Sequence, residues 1–485
     1  MSGIDRQGLR AGSFSLLASD DLERVHIVAL EVLAQTGVVI LHQPTRTLLK
    51  NAGCRVIPEE QRVYLPPDLI QEAVARAPGV VDLYDRSGKP AMKLGAGPLH
   101  ARTSSGATSI LDPASGACRP ATRHDAALAA RLADALPHVH GVSTMAVQPA
   151  DVPVSMVDLH ALHIALTNSS KPLGYVCLNE GLLDAVVAMA ATVAGGDASL
   201  RERPFLTALA ESTSPLRFVS SQMAVLQAFG SRGLPLTLHA HPIAGLTAPV
   251  TLYGLLVITH AEVLALATIA QLLRAGTPVI YGMSSSVPDM HTGANLSGAV
   301  EIGLLGVAVA QLARRCGLPC VISTGTDAHA PGDQSVMERL MTLLLPALAG
   351  VDLVNLTTLS TKMSFSLEQV ILDETVLSLV ERCLQGIAVD EATLALDLIQ
   401  TIGPGGAYLT TSHTLAYFKE ELLVPDLVSR GSRVAWEAAG APDMRARARE
   451  RVHHILDRHQ PAPLPDGVTG RLDEIVREAQ ISATV

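Results

Sequence analysis

The 485-residue chain is 48% hydrophobic and only 17% charged, enough apolar material for a large core and too little charge for a disordered chain. Its formal charge of −10 argues against nucleic acid and anionic membrane surfaces and favours a small molecule or a protein as partner. Aromatic residues make up 3%, so Ala, Leu and Val must fill the interior, and a site walled by rings is short of material.

The first residues, MSGIDRQGLRAGSF, lack an apolar signal core. The cysteines (Cys54, Cys118, Cys177, Cys316, Cys320, Cys383) show no paired CxxC spacing for zinc. Together these predict a cytoplasmic protein with free thiols. A helix over 20–36, a strand at 37–41, a second helix over 68–77 and a strand at 81–86 make a small α+β cap, assigned to residues 1–98.

From residue 99 one pattern repeats: a short β-branched run, a polar or Gly-containing turn, then a long Ala/Leu helix. The strands fall at 99–104 taken together with 108–112, then 141–147, 171–178, 204–212, 234–241, 277–284, 318–326 and 351–360. Helices are predicted to begin near Arg123, Val154, Leu182, Leu216, Thr251, Leu296, Asp333 and Ser366. Eight such units predict a (β/α)8 barrel over 99–388. A doubly wound sheet is the runner-up, without its Gly-rich phosphate turn. Leu234 to Thr259 carries no formal charge, but Pro235, Pro242 and Pro249 suit a buried strand, loop and helix better than a membrane span. Residues 389–485 read as a mainly helical extension, and the two flanks are expected to pair subunits of a homo-oligomer or to close a barrel mouth.

Barrel active sites lie at the C-terminal ends of the strands. There, His239 and His241, two apart on one strand, share a face. Three uses stay open for them: holding a divalent metal with Glu211 and Asp327, as a barrel hydrolase would; bonding to neighbouring backbone; or donating to a substrate carboxylate. Asp327-Ala-His329-Ala-Pro-Gly332 spells the DxHxxG of cobalamin-binding domains, but it follows a seventh barrel strand and lacks the SxL partner. No corrinoid tightly bound by this chain is expected. GxSxG, P-loop and HExxH motifs are absent.

Six ordered blocks (110–139, 146–153, 242–254, 261–282, 306–320 and 402–418) resemble the trimethylamine methyltransferase family, in its branch without pyrrolysine, which includes glycine betaine:corrinoid methyltransferases. The resemblance implies a (β/α)8 methyltransferase that moves a methyl group from a quaternary amine to Co(I) of a corrinoid on a separate protein. Ordinary residues occupy the loop 326–331 where the other branch carries pyrrolysine, so a betaine is implied rather than trimethylamine, with Asp327 and His329 as catalytic candidates. Glu211, His239 and His241 become candidates for binding the substrate's charges, and Tyr175, Tyr281 and Phe365 for its cationic face. The turn His239 to Gly245 departs from the apolar pattern of the family. The competing readings are the metal-dependent hydrolase and a betaine-binding protein without turnover.

Overall fold

The computed structural model describes residues 14–112 and 115–482. Eight short strands form its centre: β1 (His100–Thr103), β2 (Val142–Ser143), β3 (Leu173–Tyr175), β4 (Leu206–Glu211), β5 (Leu236–Ala240), β6 (Val279–Met283), β7 (Cys320–Ser323) and β8 (Leu353–Leu356). Neighbours pair in parallel, and β8 pairs back onto β1 through Asn355 and Arg102. A bridge between Arg102 and Gly141 closes β1 on the start of β2. Helices α1 (Arg123–Ala135), α2 (Val157–Asn168), α3 (Leu183–Ala194), α4 (Ser220–Val225), α5 (Leu252–Leu273), α6 (Val300–Arg315), α7 (Asp333–Leu348) and α8 (Leu367–Leu384) follow the strands in turn. The chain is therefore the expected (β/α)8 barrel.

Local sequence explains the boundaries. α1 starts at a capping box, in which the Thr122 hydroxyl accepts from Asp125 N and the Asp125 carboxylate accepts from Thr122 N. α5 is long and apolar enough to cross a membrane, yet most of it is buried. An all-round apolar helix needs cover on both sides. β5 and β6 cover its inner face, and the cap helices Ser19–Glu31 and Pro67–Ala75 pack along it from the N-terminal segment. The cap strand Val38–Ile40 pairs in parallel with Arg217–Phe218, which ties the cap to the loop after β4.

One element differs from expectation. Residues 108–112, grouped above with the first barrel strand, leave the barrel: Ser109–Leu111 joins Cys118–Pro120, Ser364–Phe365 and Thr358–Leu359 in a separate four-stranded sheet built from the loops after β1 and β8. The barrel already closes through β1, so this run pairs outside it.

The opposite end is plugged. A hairpin of Val81–Tyr84 and Pro90–Leu94 packs Val81, Leu83, Met92 and Leu94 against Ile280, Val321 and Leu353, which lie at or near the starts of β6, β7 and β8. Tyr84 N donates to Pro204 O (2.9 Å), Arg86 N to Ser170 O (3.0 Å) and Gly95 N to Asp352 Oδ1 (2.7 Å), fixing the hairpin to the chain just before β4, β3 and β8.

In the C-terminal segment, Met444–Arg458 packs on α1 and α8, and Val468–Ser482 on α2 and α3. The four short helices between 391 and 438 hold no buried residue.

Candidate active site

At the C-terminal mouth lies a cavity of about 270 Å³, lined by residues from or just after all eight strands. Its floor is polar. Arg102 on β1, 7% exposed, donates from Nε to Asn355 Oδ1 (3.1 Å) and from Nη1 to Thr207 Oγ1 (3.0 Å). Both partners are neutral, and Arg102 forms no ion pair among the described residues. Burial pushes its guanidinium down to about 10. Gly174 on β3 makes room for it: a Cβ there would stand 2.5 Å from Nη1.

The rim carries the opposite charge. Glu211 ends β4, and its Oε2 lies 2.9 Å from His241 Nε2. Burial would raise the Glu211 carboxyl, but His241 beside it, with His239 and Lys362, outweighs burial and holds it at about 2. His239, 3% exposed, is driven well below the usual imidazole range by burial and then by the neighbouring His241, so it is neutral. Its Nε2 is buried without a hydrogen-bond partner among the described residues. The ring lies against β6, where a Cβ at Gly282 would stand 2.0 Å from His239 Cδ2.

A second cation comes from an unexpected loop. After β8, Thr357, Ser360, Thr361 and Lys362 have φ values of 90°, 49°, 53° and 74°, a left-handed region costly for residues with a Cβ. The surroundings enforce that shape. Asp327 accepts from Ser297 N (2.8 Å) and Thr361 Oγ1 (2.9 Å) on one oxygen and from Gly298 N (2.9 Å) on the other. Arg339, fully buried, pairs with Asp373 (3.1 Å) and donates to Thr324 Oγ1 (2.8 Å) and Thr358 O (3.0 Å). The loop so held delivers Lys362 to the cavity, its Nζ on Ser284 Oγ. Burial pushes the Lys362 amine down to about 8, against the pull of Glu211.

Of the residues expected at the site, Glu211, His239, His241 and Tyr175 line the cavity together. Tyr175 follows the inward-facing Gly174, so its ring points out of the barrel, stacked on Phe229 with its hydroxyl donated to Asp158 Oδ2 (2.8 Å) on α2. Asp327 and His329 do not line it: the Asp327 carboxylate is engaged in the loop clamp, and His329 is exposed, with Nδ1 2.9 Å from Ser360 Oγ. Tyr281 faces out of the barrel, 2.8 Å from His260 Nδ1 on α5, and Phe365 is buried in the separate four-stranded sheet. The metal quartet is not assembled, because Asp327 is held away from the two imidazoles; among the described residues, the metal-capable group is His26, His260 and Cys316. Arg102, Lys362 and Gly174 were not foreseen.

The cavity thus holds charges of both signs, a neutral imidazole, and the Lys362 amine bonded to the Ser284 hydroxyl. Fold and site together define a (β/α)8 barrel protein with a charged cavity at its mouth. The model of the trimethylamine methyltransferase (MTTB) family matches residues 7–482, and the chain belongs to this family. It is a methyltransferase. It is 32% identical to the trimethylamine methyltransferase MttB of Desulfitobacterium hafniense DCB-2, over 99% of this chain and 96% of that protein. It is 29% identical to the glycine betaine methyltransferase of Desulfitobacterium hafniense Y51, over 96% and 97% of the two chains. The backbone is also similar to the Methanosarcina barkeri monomethylamine methyltransferase, with a TM-score of 0.49 at 10% identity, covering 92% of this chain and 96% of that one.

Proposed function

We propose that this methyltransferase moves a methyl group from a quaternary amine of the betaine type to Co(I) of a corrinoid carried by a separate protein. The observation that carries the reading is a mouth cavity with charged groups of both signs, in a chain similar end to end to amine methyltransferases. The corrinoid, when docked, supplies the nucleophile. The C–N bond breaks with its electron pair left on nitrogen, the methyl carbon bonds to cobalt through cobalt's own pair, and a tertiary amine leaves. No proton moves, so no general base is needed.

The residues supply position and field. Glu211 at the rim offers the cation its counter-charge. Asp327 acts through the loop it clamps, by keeping Lys362 in place, and His329 stands on the exposed rim. Leu178 and Met363 line the cavity and are 51% and 54% exposed, an apolar lip suited to a flat macrocycle. Six free cysteines accord with a reducing, cytoplasmic setting.

The test mixes the protein with a corrinoid protein reduced to Co(I) and, separately, trimethylglycine, tetramethylammonium and trimethylamine, and follows the corrinoid absorption. Methylation from at least one quaternary amine is expected. No methylation from any of them, with binding of trimethylglycine retained, would replace the transferase reaction with a binding role.

A further inference from the structure

We infer that Arg102 is a carboxylate anchor at the floor of the cavity and selects amines that carry a carboxylate. The inference rests on the reaction proposed above and adds the residue that sets its substrate class.

The first ground is charge. Arg102 and Lys362 face the cavity against one carboxylate, Glu211, so the lysine, arginine and glutamate of the lining sum to a net positive charge, and His239 is neutral. A simple quaternary ammonium would enter a site already in excess of its own sign. A zwitterion brings the missing anion.

The second ground is hydrogen bonding. A guanidinium that is 93% buried normally has an acidic partner, because leaving a charge unpaired in the interior is costly. Here Nε and Nη1 are taken by neutral oxygens of Asn355 and Thr207, no bond of Nη2 is made among the described residues, and the guanidinium borders the cavity. The free edge fits a carboxylate oxygen in the planar geometry that arginine favours. Such an arrangement also explains why the chain has glycine at 174, where any Cβ would strike the guanidinium.

The third ground is orientation. Thr207, which holds Arg102, and Glu211 lie four residues apart on β4, about 13 Å of strand. The guanidinium thus stands at the floor and the Glu211 carboxylate at the rim, where the Lys362 amine also reaches. A betaine bound with its carboxylate down presents its ammonium and methyl groups to the mouth. His239, level with Glu211 on the neighbouring strand, adds a buried Nε2 without a hydrogen-bond partner among the described residues.

Calorimetry with trimethylglycine and tetramethylammonium, which share the cation and differ in the carboxylate, tests the assignment on the whole protein. The unmodified protein is expected to bind trimethylglycine at least about tenfold more tightly, the span of one charge-assisted bond. Arg102→Gln should erase that ratio. Should Arg102→Gln fail to fold, Arg102→Lys, which keeps the charge and loses the fork, should give a reduced ratio. Equal binding of the two probes by the unmodified protein, or a ratio that survives in the folded variant, overturns the assignment. Methylation of the corrinoid partner separates the two proposals. Transfer from either amine regardless of Arg102 leaves the reaction and removes the anchor, whereas carboxylate-dependent binding without transfer leaves the anchor and removes the reaction.

Discussion

Gly174→Ala perturbs Arg102 without touching it. The new methyl group would stand 2.5 Å from Nη1, 2.7 Å from Cζ and 3.0 Å from Nε, all at the movable end of a long side chain, so the guanidinium gives way and the backbone does not. Gly174 has no positive φ, so alanine fits the strand itself. Displacement breaks the bonds to Asn355 and Thr207, each about 1.5–3 kcal/mol for a charged donor. Alanine returns about 0.4–1 kcal/mol by restricting the unfolded chain, and new contacts for the displaced guanidinium recover more. The net loss should be about 2–4 kcal/mol in urea unfolding, with the fold intact by circular dichroism. Trimethylglycine should bind at least about tenfold more weakly, while tetramethylammonium binding changes little. A folded variant with unaltered trimethylglycine affinity, and a crystal structure showing Arg102 displaced, would refute the reasoning.

The remaining predictions concern the loop after β8 and its supports. Lys362 has a folded amine near 8 against an ordinary 10.5, so between these values the unfolded chain holds a proton that the folded chain lacks, and stability should rise with pH across that window. Lys362→Met should flatten this rise in urea midpoints measured from pH 7 to 10. Arg339→Met strands Asp373 in a fully buried site and should cost about 3–5 kcal/mol, largely recovered by adding Asp373→Leu; no recovery in the double variant would show that the bonds to Thr324 and Thr358 dominate instead. Asp327→Ala should lower the methyl-transfer rate at saturating substrate and shift the pH profile of that rate, since it releases the loop that holds Lys362. An unchanged profile would confine Asp327 to stability.

The barrel was legible because its strands and helices differ in period, and each β-branched run between helices became a parallel strand. Strand ends gave Glu211, His239 and His241, whose polarity at an apolar strand terminus marks them. Tyr281 was misplaced by parity: Ile280 and Gly282 face inward, so the residue between them faces out. Arg102 sits mid-strand in His-Ala-Arg-Thr, and a charge on the inward face of a barrel strand was a signal available in the sequence. Lys362 was not accessible in that way. It stands in Ser-Thr-Lys-Met, an ordinary polar loop in composition, and only tertiary bonds from Asp327 and Arg339 impose the left-handed backbone that turns it inward.

The hairpin Val81–Tyr84 with Pro90–Leu94 makes the barrel a vessel with one opening. Substrate and product must share that opening, and the proposed corrinoid protein would stand over it. The order of events then follows from shape. On the proposed reaction the amine would enter first, the partner would seat as a stopper, the methyl group would pass, and the demethylated amine would stay inside until the partner lifts away. Turnover becomes an ordered sequence in which excess unreactive partner traps the enzyme, and the rate should fall, rather than level off, as that partner is raised.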